Sequence, residues 1–496
     1  MGKSATVRGL TFILAVCLTV ATSATVGTSV AKGTSVVVKS DARLEQAALS
    51  IDDGKFGTAV SLVDQAISSN QLSVSDADWA AYLKARALAA SGSFEAAEQI
   101  VRDRQRAHPN GYNWASLVSI LMSCGRHEEA AHAVLELEEG DFVLTNRLRP
   151  QVVETILSAL EAKSSPLRDQ MVTRLVEGRY SGPSSQHVPD GIRLRYINLL
   201  LRQSRLEDAA RETLSLESPA ILSILLTDKS FAPLWDRGPV RQLFAPGALV
   251  ARVERGVQAR LEQRSMTSSD WLELMRSLRV IGKAEEAVRL GLHAIEQARS
   301  NKRAAGSALR LEIANGYADL GETWAARRTA RELLKEQSSL PVSLRVSVAH
   351  VLEITGDDEG ALLLLSTLEG ADKLAGALKT TVCAAQDLGR PERQAIAMAM
   401  LEAMRDAAPV ELMDAYVCSG ESVKAARVLV SMFERPEYRT SAILTAQLYS
   451  DTSKAGTDLS DLRYRMRALV ATNEVQDAIK SYARTMGLPF AIAVSR

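Results

Sequence analysis

The feature that most constrains the fold of this chain is a helix-turn-helix pattern that recurs within residues 270–361. Large apolar or aromatic side chains stand nine positions before an Ala in each copy, which places them on one helical face. A period of this size indicates stacked helical hairpins, because each hairpin buries its apolar face only against its neighbours. Three Gly residues, 39 and 35 positions apart, each precede that Ala by five positions: Gly282 and Ala287, Gly321 and Ala326, Gly356 and Ala361.

The first copy also carries Trp271 and Leu274 ahead of its Gly, in the pattern W-x-x-L. Together with a Gly and an Ala five positions apart, this pattern resembles the tetratricopeptide repeat (TPR). The resemblance implies an all-α solenoid of stacked TPR-like helical hairpins. The composition agrees, since 46% of the residues are hydrophobic but only 5% are aromatic, which suits helices packed closely through Ala and Leu.

The same spacing of a Gly and an Ala recurs on both sides of this stretch. Residues 149–177 keep helical spacing but have lost the Gly and the Ala, so we interpret them as a degenerate repeat, and Gln394 replaces the Ala in one later unit. About ten or eleven hairpins are predicted between Asp41 and Gly487. A Gly or a substituting Ser is predicted to open the turn at Gly54, Gly92, Gly125, Ser164, Ser204, Gly389 and Gly420.

Residues 218–246 interrupt the repeats. Four Pro residues and the run from Phe231 to Trp235 break any helical stripe there, so we interpret the stretch as an irregular joint. The chain is therefore predicted to form two superhelical TPR-like segments, at 41–217 and 247–496. The aromatic side chains of the joint either plug the gap between the segments, which we favour, or contact a partner as a loop on a rigid scaffold.

Residues 1–24 are typical of a secretory signal peptide, with Lys3 and Arg8 ahead of an apolar run at 10–21. A membrane-spanning helix needs about 20 apolar residues, so an uncleaved anchor, which would make the chain a membrane-tethered adaptor, is the weaker alternative. Residues 25–40 are predicted to be a flexible mature N-terminus. The predicted location is the periplasm or the exterior, and the absence of an N-x-S/T sequon favours a bacterial periplasm.

Three Cys residues follow the predicted cleavage site, and none belongs to a C-x-x-C motif. An odd count without that motif argues against a disulfide framework and against a ribbon-type zinc site. Cys383 and Cys418 fall in neighbouring repeats, so a bridge is one interpretation. Their different heights relative to the Gly positions favour two separate buried thiols.

The sequence carries no motif of a known catalytic site. It contains no Walker-type loop, no G-x-G-x-x-G and no G-x-S-x-G. His127 and His132 are five positions apart, whereas a zinc-binding helix needs four, so His127 is interpreted as a solvated turn residue. We predict a protein that is not an enzyme and needs no cofactor or metal. An enzyme with a site in the joint is the less favoured alternative, because the joint offers Asp228, Lys229, Asp236 and Arg237 but no His, Cys or Glu.

The family resemblance implies that the first helices of successive hairpins line a groove and that groove residues lie at fixed offsets from the Gly. Arg and Asn on such a surface favour extended acidic or polar segments, because guanidinium pairs with carboxylates. No run of three units supplies the complete carboxylate clamp of the family. The candidate groove residues are Trp79, Tyr82, Arg86, Tyr112, Arg195, Asn198, Arg202, Arg276, Arg279, Asn315, His350, Arg463 and Arg467.

The charge balance restricts the choice of partner. With 59 basic and 59 acidic residues the formal net charge is zero, so nothing in the total favours nucleic acid, and the mature chain is not predicted to insert into a membrane. The predicted function is a protein-binding scaffold of the cell envelope. Its expected partner is another protein or an extended peptide segment.

Overall fold

A computed structural model describes most of the chain. The predicted signal peptide at 1–24, the predicted flexible segment at 25–40 and Pro246 of the joint lie outside the described residues. Within the described part, no helix has the length and apolar character needed to cross a bilayer. The described residues are 41–52, 54–69, 71–182, 187–245, 247–262, 266, 268–300, 306–336, 340–449 and 457–489.

Contacts divide the chain into two compact units, with the division between Tyr196 and Ile197. The stretch 218–245 lies inside the second unit, and the segment boundaries predicted from the sequence stay a prediction. A 3-10 helix spans Glu139–Arg147. The helices up to the division are α1 (Ala42–Asp52), α2 (Phe56–Ser68), α3 (Val74–Ala90), α4 (Phe94–Ala107), α5 (Gly111–Ser123), α6 (His127–Leu135), α7 (Pro150–Ala162), α8 (Leu167–Glu177) and α9 (Asp190–Arg202), which crosses it.

The second unit continues the same pattern with short elements inserted near its start and end. Its 3-10 helices are Thr213–Ser215, Lys229–Leu234, Gln242–Phe244 and Ala371–Lys373. Two short strands are β1 (Leu448–Tyr449) and β2 (Gly487–Leu488). The helices are α10 (Leu206–Glu212), α11 (Pro219–Thr227), α12 (Gly238–Arg241), α13 (Ala248–Leu261), α14 (Ser268–Val280), α15 (Ala284–Ser300), α16 (Ser307–Asp319), α17 (Thr323–Glu336), α18 (Val342–Ile354), α19 (Asp358–Ser366), α20 (Ala375–Asp387), α21 (Pro391–Ala403), α22 (Pro409–Cys418), α23 (Ser422–Glu434), α24 (Pro436–Thr445), α25 (Thr457–Val470) and α26 (Asn473–Tyr482).

One turn geometry joins the two helices of hairpin after hairpin. A residue with left-handed backbone conformation ends the first helix, and the next amide donates to the carbonyl five residues back, as Lys283 N does to Leu278 O at 2.8 Å. This is the Schellman termination, in which positive φ is cheapest for Gly. It confirms the predicted all-α array of hairpins. The left-handed residues are Gly54, Gly92, Gly125, Ser164, Ser204, Gly282, Gly321, Gly356, Gly389 and Gly420, with φ from 52° to 87°.

The Ala five positions after the turn is fully buried in the first turns of the second helix wherever it occurs. Its amide closes the first turn of the second helix, as Ala287 N donates to Lys283 O at 3.0 Å. A larger side chain would push the helices apart, because packed interiors leave no spare volume. The exposed fraction is 0% at Ala59, Ala97, Ala130, Ala209, Ala287, Ala326, Ala361 and Ala425.

The C-terminal segment of the second unit packs against the start of that unit. Helix α11 contacts α24, and β1 pairs with β2 in parallel. Arg484 N donates to Thr227 O at 2.9 Å, and Arg484 Nε donates to Leu226 O at 2.6 Å. Arg484 and Leu226 are 258 residues apart in the sequence. The C-terminal segment therefore closes the second unit by contacting the start of that unit.

The aromatic side chains at 218–245 are covered by this closure. The Arg484 guanidinium lies 3.6 Å from the centroid of the Trp235 ring and 4.3 Å from that of Phe244, and Phe231 is buried. Such stacking of a guanidinium on aromatic faces is favourable. These rings therefore contact the chain itself.

Cys383 and Cys418 form a disulfide, with 5.3 Å between their Cα atoms. The expectation of two separate thiols was wrong. It rested on the different sequence distances of the two Cys residues from the turn Gly of their hairpins. Gly420 follows Gly389 by only 31 residues, so these two hairpins differ in length from the others, and the distance from the Gly does not give the level of a residue along the first helix. The bridge joins α20 to α22, the first helices of neighbouring hairpins.

Candidate functional site

In the first unit, the predicted groove residues Trp79, Tyr82 and Arg86 lie on α3, and Tyr112 lies on α5. All four side chains are half-buried. The rings of Tyr82 and Tyr112 meet edge to face, with 6.3 Å between centroids, so the two first helices are joined at this point by aromatic contact. Trp79 packs partly on the core of the preceding hairpin. We call these four partly accessible residues the aromatic face.

A buried carboxylate next to the aromatic face was missed by the sequence analysis. Asp78 accepts hydrogen bonds from Arg104 Nε at 2.5 Å, Asn110 Nδ2 at 2.9 Å and Asn113 Nδ2 at 3.0 Å, and His108 Nδ1 lies 2.9 Å away. Burial alone would raise the pKa of Asp78, but these hydrogen bonds outweigh it and lower the pKa. The network ties α3, which also carries Trp79 and Tyr82, to α4 and α5.

The candidates on α9 lie on either side of the division. Arg195, in the first unit, is half-buried and pairs with Glu154, while its Nη2 donates to Ser158 Oγ at 3.2 Å. Asn198 and Arg202 are exposed. Arg195 is therefore already engaged by a neighbouring first helix.

In the second unit, Arg279 is buried and held by two carboxylates. Its side chain is 1% exposed, its Nε donates to Asp319 at 2.7 Å, and it pairs with Glu312. Burial alone would lower the pKa of Arg279, but the charges of Asp319 and Glu312 raise it. The expectation that Arg279 faces an accessible groove is therefore not met, because α16 supplies carboxylates that the sequence pattern did not anticipate.

Two further candidates are buried in the same region. The side chain of Asn315 on α16 is buried. Arg463 is also buried, and its Nη2 lies 4.0 Å from Asp319 Oδ1. Arg276, by contrast, is 64% exposed and 3.4 Å from Glu312. Arg467 is also exposed. The second unit therefore uses several predicted groove positions for internal ion pairs.

A second buried charge cluster surrounds the disulfide. His350 Nδ1 lies 2.8 Å from Glu353 Oε2, and Lys379 Nζ lies 3.7 Å from the same oxygen. Burial alone would raise the pKa of Glu353, but Lys379 and His350 lower it. Burial raises the pKa of Glu411 on α22. His350 was predicted to face the groove, but nothing in the repeat pattern pointed to Glu353 or Lys379.

The two His residues of α6 do not converge. His127 is buried and His132 is exposed, and burial lowers the pKa of His127. The expectation of a solvated turn at His127 was therefore wrong, because the side chain begins α6 and packs inward.

The charged residues of the joint take structural roles. Asp228 caps the following 3-10 helix by accepting from Ser230 N at 2.8 Å, and Arg237 pairs with Glu207 at 2.6 Å. Lys229 donates to the Lys480 carbonyl of the C-terminal segment. The Lys229 contact adds to the closure described above.

Repeated hairpins, left-handed Schellman turns and a fully buried Ala after eight of the ten turns named above define a TPR-like helical-repeat protein. No protein-family model matches the chain, and no curated protein matches it. The fold assignment rests on the hairpin geometry.

A search of solved structures found matches to this chain, among them the following three. The structure of Naa15/Naa10 bound to HypK-THB is 13% identical, covers 88% of this chain and 71% of that chain, and has a TM-score of 0.29. The crystal structure of the APC/C hetero-tetramer Cut9-Hcn1 is 12% identical, covers 88% and 96%, and has a TM-score of 0.27. The pentatricopeptide repeat protein PPR10 from maize is 13% identical, covers 81% and 69%, and has a TM-score of 0.24.

Proposed function

We propose that this chain is an exported, non-catalytic protein-binding scaffold of the cell envelope and that its partner binds at the aromatic face. The observation that carries the proposal is the contact between Tyr82 and Tyr112 across two first helices, with Trp79 and Arg86 beside them and all four partly accessible. Among the predicted groove positions of the second unit, Arg279, Asn315 and Arg463 are instead buried.

The chemistry of the aromatic face suits an extended peptide segment. Tyr and Trp offer large contact areas at low conformational cost, and they are the residues that most often dominate protein interfaces. We infer that the bound segment carries apolar side chains that pack on these rings.

Export is supported by the disulfide as well as by the N-terminal sequence. Disulfides persist in oxidising compartments and are rare in reducing ones. The Cys383–Cys418 bridge therefore agrees with a secretory signal at 1–24. A periplasmic scaffold with a cleaved signal is the form that we propose.

The test is an affinity pull-down from the envelope fraction of the host, with the chain recovered from that fraction as bait. N-terminal sequencing should find a start near Thr25. Tyr82→Ala with Tyr112→Ala should weaken capture of the specific partner about tenfold or more, because truncated interface aromatics often cost more than about 1 kcal/mol each and 1.4 kcal/mol is a factor of ten.

The matched control is Trp324→Ala, which removes a 70% exposed ring from a second helix of the other unit. It should leave capture unchanged while helix content stays the same in all variants. Equal loss from both variants, or none from the Tyr pair, would place the binding surface elsewhere. A start at Met1 or Gly2 on soluble protein would contradict export.

A further inference from the structure

Three metal-ligating groups from three consecutive first helices meet inside the second unit. The Sγ atoms of Cys383 and Cys418 and a carboxylate oxygen of Glu353 all lie within 4.8 Å of one another. Glu353 and Cys383 are buried, and Cys418 is half-buried. Because α18, α20 and α22 supply one group each, the stacking of the hairpins builds this cluster.

The donor set is of a definite chemical type. Two thiolates and a carboxylate are ligands that zinc accepts in tetrahedral sites, and thiolates select soft or borderline divalent cations over magnesium or calcium. In the structure the two sulfurs are bonded to each other. Metal binding at this cluster therefore requires the reduced pair.

A small dithiol can supply that reduction. One of its thiolates attacks Sγ of the half-buried Cys418, the bond between the sulfurs breaks, and Cys383 leaves as a thiolate that takes up a proton. The second thiol of the reductant then displaces Cys418, so that the reductant becomes a cyclic disulfide and two protein thiols remain. A divalent cation binding to both sulfurs releases their two protons.

The charge of the cluster does not oppose this exchange. Lys379 Nζ lies 3.7 Å from Glu353 Oε2, so the oxidised cluster already pairs its carboxylate with a cation. Two thiolates and one divalent cation together add no net charge when they replace a neutral disulfide. The buried cluster is therefore left without an additional uncompensated charge, which would be costly in the interior.

We propose that reduced Cys383 and Cys418, together with Glu353, bind one divalent cation of the zinc type. The fourth tetrahedral position is left to water, as zinc permits when the protein supplies three ligands. The cation would keep α20 linked to α22 when the disulfide is open. The same three residues then hold these neighbouring hairpins together in both oxidising and reducing surroundings.

The test uses the full mature chain with Cys124→Ser, which removes the remaining free thiol. After reduction by tris(2-carboxyethyl)phosphine under nitrogen, Co²⁺ is titrated as the probe. We expect one equivalent to bind with a thiolate-to-cobalt charge-transfer band in the near ultraviolet and the visible bands of tetrahedral cobalt. Zn²⁺ should displace it. The oxidised chain should show neither band.

Variants separate the ligands from the fold. Glu353→Gln should weaken Co²⁺ binding about tenfold or more while keeping the charge-transfer band, and Cys383→Ser should abolish the two-thiolate spectrum. Glu359→Gln, at an exposed carboxylate on α19, is the matched control and should change neither. Circular dichroism and re-formation of the disulfide report folding of the Gln variants. No band in the reduced chain, or equal affinity in Glu353→Gln and the control, would overturn the proposal.

Discussion

The two units share the same hairpin geometry but carry different side chains on the first helices of their hairpins. In the first unit, the buried carboxylate of Asp78 beside the aromatic face accepts from Arg104 and from the amides of Asn110 and Asn113, and aromatic side chains remain half-accessible. In the second unit, Arg279 is enclosed by carboxylates, a disulfide joins two first helices, and the C-terminal segment closes the structure. The difference teaches that the turn and the buried Ala decide the architecture, whereas polar residues of the first helices decide which surface stays open.

Removing the Arg279 charge should be the most damaging change. Arg279→Met leaves Glu312 and Asp319 buried without their main partner, and breaking a buried ion pair on one side costs roughly 3–5 kcal/mol. Denaturant unfolding should show this loss, and hydrogen exchange should place it in peptides of α14 and α16.

The exposed neighbour gives the control for this prediction. Arg276→Met removes a 64% exposed guanidinium from the same helix and should cost less than about 1 kcal/mol. Adding Glu312→Gln and Asp319→Asn to Arg279→Met should restore part of the stability, because the buried charges then disappear together. Similar losses for Arg276→Met and Arg279→Met would show that the buried pair is not what distinguishes the second unit.

Asp78→Asn tests the corresponding feature of the first unit, with a smaller effect. Hydrogen bonds to a charged group contribute roughly 1.5–3 kcal/mol, so the variant should lose about this much at pH 7. The pKa of Asp78 is lowered in the folded state, so its contribution is present above the unfolded pKa of about 3.9 and is lost as pH falls through the folded value. The difference between wild type and variant should therefore shrink below about pH 4.

Hydrogen exchange of peptides within 74–123 measures this loss locally. Asp103→Asn, at a carboxylate 56% exposed on α4, should stay within about 0.5 kcal/mol of wild type at every pH. A cost for Asp78→Asn that does not change between pH 7 and pH 3 would mean that the charge of Asp78 contributes nothing.

The turns should show the smallest effect, and of the same size in both units. Ser164 and Ser204 adopt φ of 52° and 61°, which costs a residue with a Cβ roughly 1–2 kcal/mol, partly offset by the greater chain entropy of Gly. Ser164→Gly and Ser204→Gly should each stabilise the chain by about 0.5 kcal/mol in denaturant unfolding. Gly321→Ala should do the reverse. Unequal effects of the two Ser variants would show that the turns are not equivalent.

The sequence predicted the architecture because the hairpin is encoded locally. A left-handed residue and an Ala five positions later are separated by a single turn, so the turn at Ser204 was found even though the Gly is missing. The turn at Ser164, which lacks both the Gly and the Ala, was found from the helical spacing on either side of it. The candidate site was predicted only in part. Arg279 was placed on a first helix correctly, but its partners come from another hairpin, 33 and 40 residues away.

The repeat pattern also could not predict two long-range contacts, the disulfide and the contact of the C-terminal segment. The sequence distance from the turn Gly predicts the level of a residue along the first helix only when the hairpins have equal length. The hairpins of Cys383 and Cys418 do not have equal lengths. Nothing near Arg484 in the sequence indicates that it stacks on Trp235. Both contacts depend on how many hairpins intervene and how each is rotated.

The contacts that close the second unit also determine which part of it completes folding last. Hairpins pack on their immediate neighbours, so each one can fold as soon as the next leaves the ribosome. The carbonyls of Leu226 and Thr227 must instead wait for Arg484, so the residues around Trp235 stay uncovered through the synthesis of more than half the chain. Contacts of such long sequence separation form slowly. During that interval the rings of Trp235 and Phe244 lack the cover that Arg484 gives them in the folded protein.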